Sequence, residues 1–484
     1  MDINQIISDA QFITSEVILL SISIIGLLYG LFVKEKIIHV QIILVVGMII
    51  SGFYLFSPLP HDGLLFNQSI ELNETTRVFR FLILVASIIS MIFMLGQKTH
   101  FEIPVLITIS TAALMLMVSS NDLMTMYLTM ELSAIAMYIC VASDLTSYKA
   151  TEASLKYFIL GSIASCIFLL GSSTISGFAG SFSFEVIGRY SIDLLEGDMM
   201  PILMVFSSIM IMAAFFFKMA VVPFHTWIAD IYNGAPWYIS LFLGSASKIA
   251  IIGLFIRCIF SLFDNVQVQI QHILMLISVL SMFVGSIAAI IQKDLKRILA
   301  YSSIGNMGFA LAAISTTSLN GISSGFVYII LYSIIMFIPA FAIIGSLATS
   351  ESGSVLLTDL KKLNISNPYK TATLAFLMLS IAGLPPFAGF FGKFYMLMQL
   401  ISHDMIVLST LFVIAAVLSS FYCIKIVKNI YFSTYDVSSI DCIKCYISPH
   451  SIILLSILCI LNVIYCAYSS QTINFFLELF SNQI

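Results

Sequence analysis

Residues 298–350 read ILAYSSIGNMGFALAAISTTSLNGISSGFVYIILYSIIMFIPAFAIIGSLATS, a run that contains no Asp, Glu, Lys or Arg. A helix that crosses a lipid bilayer needs about 20 consecutive, mostly apolar residues. The run is long enough for two such helices, which we predict at 297–316 and 323–348. Two stretches elsewhere, 157–184 and 371–392, have a similar character. The sequence therefore indicates a membrane protein with many crossings.

The composition of the whole chain supports this interpretation. Of its 484 residues, 60% are hydrophobic and only 10% are charged, whereas a soluble domain carries about 25% charged residues. The abundance of Leu, Ile, Val and Phe excludes a disordered chain. A net charge of -4 gives no indication of a nucleic-acid partner. We expect membrane lipid, and no nucleic acid, to surround the protein.

The apolar segments are helical rather than barrel strands. A membrane barrel is built from segments of about 10 residues in which apolar and polar positions alternate, and this chain instead has long continuous apolar runs. We predict an all-α polytopic membrane protein with about 14 transmembrane helices. Their predicted limits are 17–34, 37–57, 78–96, 103–120, 121–142, 152–176, 201–222, 237–260, 268–291, 297–316, 323–348, 371–400, 405–430 and 449–469.

The distribution of basic residues predicts the orientation of these helices, because cytoplasmic loops carry an excess of Lys and Arg. With both termini on the outer (periplasmic) side, thirteen basic residues lie in inner loops and four (Arg77, Arg80, Arg189 and Arg257) lie at the outer side. The thirteen are Lys34, Lys36, Lys98, Lys149, Lys293, Lys296, Arg297, Lys361, Lys362, Lys370, Lys425, Lys428 and Lys444. We expect a multi-pass protein of the cell inner membrane.

Five ionisable residues fall inside the predicted spans: Glu131, Lys156, Lys218, Lys248 and Lys393. Each costs roughly 2.5–3.5 kcal/mol at a helix centre, which is tolerable only if the group pairs, reaches water or snorkels to the interface. Snorkelling is a serious alternative for Lys156, which lies near the end of its span. A purely structural pair with a lysine is the alternative for Glu131. A functional role is favoured for Lys218 and Lys393.

Two spans contain prolines that interrupt the helix beside a lysine. Span 7 includes KMAVVPFHTW (218–227), and span 12 includes LPPFAGFFGK (384–393). Proline removes a helical hydrogen bond, so carbonyls are predicted to be freed near Met219, and near Ile381 and Ala382. Within a membrane such groups must face other protein or water. We therefore predict hydrated breaks in helices 7 and 12, with a simple proline kink as the alternative.

The position of the two breaks predicts an internal repeat. Helices 7 and 12 are five spans apart, so they run in opposite directions, and each is the fourth helix of a five-helix group. This is the arrangement of inverted repeats, whose broken helices mark the transport site of many carriers. We predict N-terminal helices at 1–102, a first repeat at 103–260, a second repeat at 268–430 and a C-terminal helix at 449–469.

A chain of intramembrane lysines is suited to proton transfer, because a buried lysine can gain and lose a proton. Lys218, Lys248 and Lys393 form the predicted relay, with Glu131 as charge partner and His225 as a possible shuttle. Lys156 is included on weaker grounds. A sodium site would favour clustered carboxylates, and Glu131 is the one carboxylate predicted mid-membrane. We assign no metal, since the Cys442 and Cys445 pair has no second pair beside it.

These segments together resemble the proton-translocating, antiporter-like membrane subunits of respiratory complex I, and in particular their subunit N branch. The resemblance covers most of the chain, roughly spans 4–13. It rests on LTMEL (128–132), KMAVVPFHTW (218–227), DLKRILAYSS (294–303) and LPPFAGFFGK (384–393). Lys393 favours subunit N, because the M-type subunit has glutamate at this position.

The resemblance implies a role for each of the four main residues. Glu131 and Lys218 are the coupled pair of a first half-channel, Lys248 is the central relay residue, and Lys393 is the exchange site of a second half-channel. One position departs from the pattern, because Asn306 in SSIGNMG (302–308) stands where subunit N commonly has histidine. Asparagine does not titrate near neutral pH, so a proton step there must use water or another residue.

The resemblance also implies that the redox chemistry lies on other chains. The sequence has no dinucleotide-binding or Walker motif and no cysteine cluster for iron–sulfur. We expect no cofactor on this chain, and FMN and iron–sulfur clusters on partner subunits of the membrane arm and the peripheral redox arm. The expected activity is that of an NADH:quinone oxidoreductase that translocates protons. The alternatives are a subunit of a multisubunit Na⁺/H⁺ antiporter and a non-pumping structural subunit.

Overall fold

The structure is a computed structural model that describes residues 8–32, 37–58, 63–97, 99–144, 147–193, 200–263, 267–347, 355–432 and 449–482. Six residues discussed above lie outside these ranges: Lys34, Lys36, Lys98, Cys442, Lys444 and Cys445. The chain forms two compact units. Unit 1 contains Met1–Met219 and Ala246–Ile270, and unit 2 contains Ala220–Ser245 and Gln271–Ser481. The boundaries at 219/220 and 245/246 fall at interruptions of helices 7 and 8.

Unit 1 is helical apart from one small hairpin, in which β1 (Leu64–Leu65) pairs antiparallel with β2 (Ile70–Glu71). Its helices are α1 (Thr14–Phe32), α2 (Ile37–Tyr54), α3 (Glu74–Met94), α4 (Glu102–Ser119), α5 (Leu123–Val141), α6 (Tyr148–Ala179), α7 (Phe184–Asp193), α8 (Met200–Met219) and α11 (Ala246–Ser261).

Unit 2 is helical throughout its described residues. It contains α9 (Thr226–Gly234), α10 (Trp237–Gly244), most of α12 (Gln267–Ile291), α13 (Leu295–Ile314), α14 (Leu319–Ile330), α15 (Ile338–Ser346), α16 (Asp359–Ser366), α17 (Pro368–Ala382), α18 (Ala388–Ser402), α19 (Ile406–Tyr431) and α20 (Pro449–Ser481). A π-helical segment, Leu331–Phe337, joins α14 to α15.

The prediction of an all-α polytopic membrane protein is confirmed. A helix lies at every one of the predicted spans, and eleven helices among the described residues are long and apolar enough to cross a membrane. The count of fourteen crossings and the two inverted repeats stay predictions. The breaks in helices 7 and 12 are confirmed, since α8 ends at Met219 and α17 ends at Ala382.

Helix starts in unit 1 follow from side chains that accept the free backbone N–H groups of the first turn. Asp122 accepts from Thr125 N at 2.5 Å, and Ser147 accepts from Ala150 N. Asn73 and Thr76 cap α3 reciprocally. Such caps satisfy donors that the helix itself leaves unpaired, so the short polar loops define where the apolar helices begin.

Two arginines at the predicted outer side are buried in unit 1 rather than solvated. Arg80 of α3 makes a two-pronged ion pair with Glu16 of α1, at 2.7 and 2.5 Å. Arg257 of α11 donates to the Val118 carbonyl at 2.6 Å and pairs with Glu71 of β2 at 2.5 Å. Removing one partner of a buried ion pair leaves an uncompensated charge, so these contacts fix the helices that surround α5.

Close helix packing in unit 2 depends on glycine where α12 meets α13. A Cβ atom built on Gly285 would lie 2.5 Å from the backbone nitrogen of Gly305. Real Cβ atoms do not approach backbone so closely, and small residues are what let membrane helices come into backbone contact. The α13 segment that carries Asn306 is held against α12 by this contact.

Candidate functional site

Glu131 lies in the middle of α5 and is partly buried. The hydroxyl of the buried Ser165, on the neighbouring helix α6, donates a hydrogen bond to its carboxylate. A serine is therefore a direct partner of the carboxylate within unit 1. A hydrogen bond to a charged acceptor stabilises it more than a neutral bond does, which offsets part of the cost of the mid-membrane charge.

Lys218 lies in the last turn of α8, immediately before the break. The chain leaves the helix after Met219, and Ala220 has a left-handed backbone with φ of 58°. The unpaired carbonyls of a helix C-terminus favour a positive charge. Lys218 also interacts electrostatically with Glu131. The structure thus brings together the two residues of unit 1 that the sequence predicts to be coupled.

Lys156 has a different environment. Its ammonium lies 2.7 Å from Glu152, one helical turn earlier in α6, and the two side chains are 42% and 45% exposed. An ion pair this exposed stabilises a helix by at most about 1 kcal/mol. The geometry favours the snorkelling alternative for Lys156 over a place among the buried groups.

Lys248 is among the most deeply buried lysines of the chain, with 2% of its surface exposed. It lies in the first turn of α11, after the interruption of helix 8 at Ser245. The surrounding residues Gly244, Ser245, Ala246 and Ser247 are all small. Sequence analysis identified this lysine from its place mid-span, and its burial in unit 1 agrees with that expectation.

His225 lies within the break of helix 7, in unit 2, and directly precedes α9. It is half-buried, and its side chain makes no capping hydrogen bond to the helix. The backbone of the same break is held by α12, because Val222 N donates to Ser281 Oγ at 3.0 Å. The imidazole is therefore positioned on a fixed segment, as a shuttle requires.

Lys393 binds the break of helix 12. Its Nζ donates to the carbonyls of Ile381 at 2.9 Å and Ala382 at 3.4 Å, and to Ser419 Oγ at 3.2 Å. It also lies 4.9 Å from the centre of the Phe309 ring. The two carbonyls are those the sequence predicted to be freed, so this prediction is confirmed. The lysine supplies the donors that the interrupted helix lacks.

The region around Asn306 in unit 2 is a buried hydrogen-bonded network. Tyr328 Oη donates to Asn306 Oδ1 at 2.6 Å, and Asn306 Nδ2 donates to the Ser302 carbonyl at 2.8 Å. Ser302 Oγ lies 2.8 Å from Tyr422 Oη. An amide cannot exchange its donor and acceptor ends as a hydroxyl can. Asn306 therefore fixes the direction of the hydrogen bonds on either side of it.

Sequence analysis missed the neutral partners of the charged residues. Ser165, Ser419 and Tyr328 are ordinary members of apolar helices in the sequence, and no spacing rule connects them to Glu131, Lys393 or Asn306. Their role depends on contacts between helices. Asn462 of α20 gave a usable signal, because an amide in the apolar run ILCILNVIYC (457–466) is costly in lipid unless it is paired.

The fold and the site together define a class: a polytopic membrane protein with two interrupted helices, each beside a partly or fully buried lysine. A profile of the family described as "NADH:quinone oxidoreductase/Mrp antiporter, TM" matches residues 120–419. NADH-quinone oxidoreductase subunit N of Pelagibacter ubique is 36% identical over 433 residues, 87% of this chain and 89% of that one. The Paramagnetospirillum magneticum subunit N is 37% identical over 418 residues, 84% of this chain and 85% of that one. The chain belongs to the NADH-quinone oxidoreductase subunit N family.

Solved structures share the fold at lower identity. A chain of the Mrp complex from Dietzia sp. aligns with a TM-score of 0.81 and 16% identity, covering 97% of this chain and 96% of that one. A chain of respiratory complex I from Thermus thermophilus aligns with a TM-score of 0.77 and 22% identity, covering 95% and 98%. These likenesses concern the fold alone.

Proposed function

We propose that this chain is a proton-translocating membrane subunit of NADH:quinone oxidoreductase (complex I). The observation that carries the proposal is the similarity to subunit N over most of the chain, at more than a third identity. The chemistry of the site agrees with it, since each helix break is associated with a lysine able to exchange a proton. The pump moves protons across the membrane while partner subunits carry electrons from NADH to quinone.

The main alternative is a subunit of a multisubunit Na⁺/H⁺ antiporter. The fold suits either function, because the Mrp chain aligns about as well as the complex I chain. Sequence similarity to subunit N favours the oxidoreductase. The chemistry favours proton over sodium transport as well, because a sodium site calls for several oxygen ligands and Glu131 contributes the one carboxylate at this site.

The proposed relay uses residues of both units in chain order. In unit 1 the ammonium of Lys218 is held by its interaction with Glu131. Loss of a proton from Lys218 Nζ leaves a neutral amine and an uncompensated Glu131 carboxylate, which favours uptake of a new proton. Lys248 is proposed as the central relay residue and Lys393 as the exchange site. His225 is proposed as a shuttle, and Lys156 as a peripheral residue at most.

The redox groups are proposed to lie on partner subunits. FMN and iron–sulfur centres belong to the peripheral arm of the complex, and the neighbours of this chain are other membrane-arm subunits and lipid. The proposed location is the cell inner membrane, with both termini on the outer side. The proposed organisation keeps two five-helix repeats, 103–260 and 268–430, between N-terminal helices 1–102 and a C-terminal helix at 449–469.

Purification and substitution test the proposal separately. The tagged chain is expected to copurify with a flavin- and iron–sulfur-containing arm that oxidises NADH, and purification without that arm favours the antiporter. Lys218→Ala and Lys393→Ala are then introduced into assembled complex in liposomes. We expect each to lower the number of protons pumped per NADH, with Lys428→Ala at the inner face as control. Unchanged pumping in both variants would remove the relay assignment and favour a structural subunit.

A further inference from the structure

The break in helix 12 leaves two sets of backbone groups without helical partners. The carbonyls of Ile381 and Ala382 end α17, and the N–H groups of Ala388 and Gly389 begin α18. Lys393 binds the carbonyls. In lipid the N–H groups also require acceptors, and the sequence of the break itself supplies none.

The acceptor comes from the last helix of the chain. Asn462 of α20 is fully buried, and its Oδ1 accepts from Ala388 N at 3.0 Å and from Ser380 Oγ at 3.0 Å. The orientation of the amide is determined, because a backbone N–H can only donate and so must face the oxygen. Asn462 Nδ2 is buried and has no hydrogen-bond partner among the described residues.

Ser380 extends this contact to both sides of the break. It lies near the end of α17, donates to Asn462, and accepts from Gly389 N at 3.4 Å. Gly389 is required there, because a Cβ atom would lie 1.8 Å from the Ser380 carbonyl oxygen. One side chain of α20 therefore binds the end of α17 and the start of α18 at the same oxygen.

Lys393 lies on the helix that Asn462 anchors. It is five residues beyond Ala388 in α18, and its Nζ must reach back to carbonyls of α17. The reach depends on the distance between the two helix ends, which the Asn462 contact fixes. We propose that Asn462 is a positioning residue for Lys393: it holds the two arms of helix 12 together so that the ammonium reaches the Ile381 and Ala382 carbonyls.

The inference rests on the proposed role of Lys393 in proton transfer, but its structural part is measurable without it. The experiment uses assembled complex carrying Asn462→Leu, Asn462→Asp or Ser469→Ala. Leucine removes the acceptor at similar size, and aspartate keeps it. Ser469 is the matched control, since it is buried in the same helix and donates only to the Cys466 carbonyl of its own helix.

Two readouts are taken: amide hydrogen exchange of the peptide around Ala388, and protons pumped per NADH oxidised at a measured electron-transfer rate. A buried N–H left without an acceptor loses stability, so Asn462→Leu is expected to raise exchange by about 5- to 150-fold. We expect the same variant to lower the proton-to-NADH ratio while electron transfer continues. Asn462→Asp keeps native exchange, and Ser469→Ala changes neither readout.

Native exchange around Ala388 in Asn462→Leu overturns the inference, and so does a loss of pumping that Ser469→Ala reproduces. If Asn462→Leu does not assemble, Ser380→Ala takes its place, since it removes one of the two bonds to Asn462; faster exchange at Gly389 is then expected, and native exchange refutes the contact. Unchanged pumping in Lys393→Ala together with faster exchange in Asn462→Leu would reject the relay and leave the helix contact established.

Discussion

The environment of Lys393 predicts the effect of one hydroxyl group. Ser419 of α19 is buried, accepts a hydrogen bond from Lys393 Nζ at 3.2 Å, and donates its own hydrogen to the Ala416 carbonyl at 2.8 Å. All three polar partners of the ammonium therefore act as acceptors. This arrangement matches a group with three donors and no acceptor, which is lysine with its proton bound.

Ser419→Ala removes one of these acceptors and leaves both backbone carbonyls paired. A hydrogen bond to a charged group contributes about 1.5–3 kcal/mol, so the ratio of charged to neutral lysine should fall by about 10- to 150-fold. Since the charged form is the one that loses stability, the proton is lost at lower pH than in the native protein. The alkaline limb of the pumping profile should move toward lower pH by about one to two units.

The assay measures protons pumped per NADH by complex in liposomes between pH 6 and pH 9, about the range in which an exchange near neutrality is visible. Ser420→Ala is the matched control, because this neighbouring serine is exposed and donates to the Val417 carbonyl of its own helix. The Cys423 thiol, which also interacts with Lys393, is unchanged in both variants. A native profile for Ser419→Ala, or the same displacement for Ser420→Ala, refutes the reasoning.

Other substitutions test the remaining charged groups. Glu131→Gln removes the charge that interacts with Lys218, so the proton-to-NADH ratio of the assembled complex should fall by at least about tenfold; a native ratio counts against the coupled pair. Lys156→Gln breaks only an exposed ion pair, and pumping should stay native; a loss comparable to that of Lys218→Ala would return Lys156 to the relay. Glu16→Ala leaves Arg80 buried and unpaired, at a cost of about 3–5 kcal/mol, and thermal unfolding of the complex should show a lower midpoint than in Glu16→Gln.

The helices and breaks could be predicted because they depend on local chemistry. Apolar length predicted the crossing segments, and proline predicted the interruption of helix 12 and the carbonyls that Lys393 binds. The ends of some helices could not be predicted. The last helix extends from Pro449 to Ser481, beyond the predicted 449–469, because its final turns carry too many polar residues for an apolar window. The π-helical segment at Leu331–Phe337 has no signal in an apolar run.

The charged residues of the site were found from the sequence, but their surroundings were not. A charge in an apolar span is conspicuous, whereas Ser165 and Ser419 are two of many serines whose partners lie on other helices. Lys156 shows the opposite case. Its partner Glu152 is four residues earlier in the same helix, so the exposed ion pair could have been recognised from spacing alone.

The contacts of Lys393 also limit what its removal can demonstrate. Two carbonyls of α17 depend on its ammonium, and leaving a buried carbonyl unpaired costs about 1–3 kcal/mol. Lys393→Ala therefore removes a proton carrier and loosens the helix break at once, and either change can stop pumping. Ser419→Ala alters the balance between charged and neutral lysine while the break keeps its donors, and Asn462→Leu loosens the break while the lysine stays. Only if the first variant moves the pH profile and the second lowers pumping without moving it are the two functions of this residue separated.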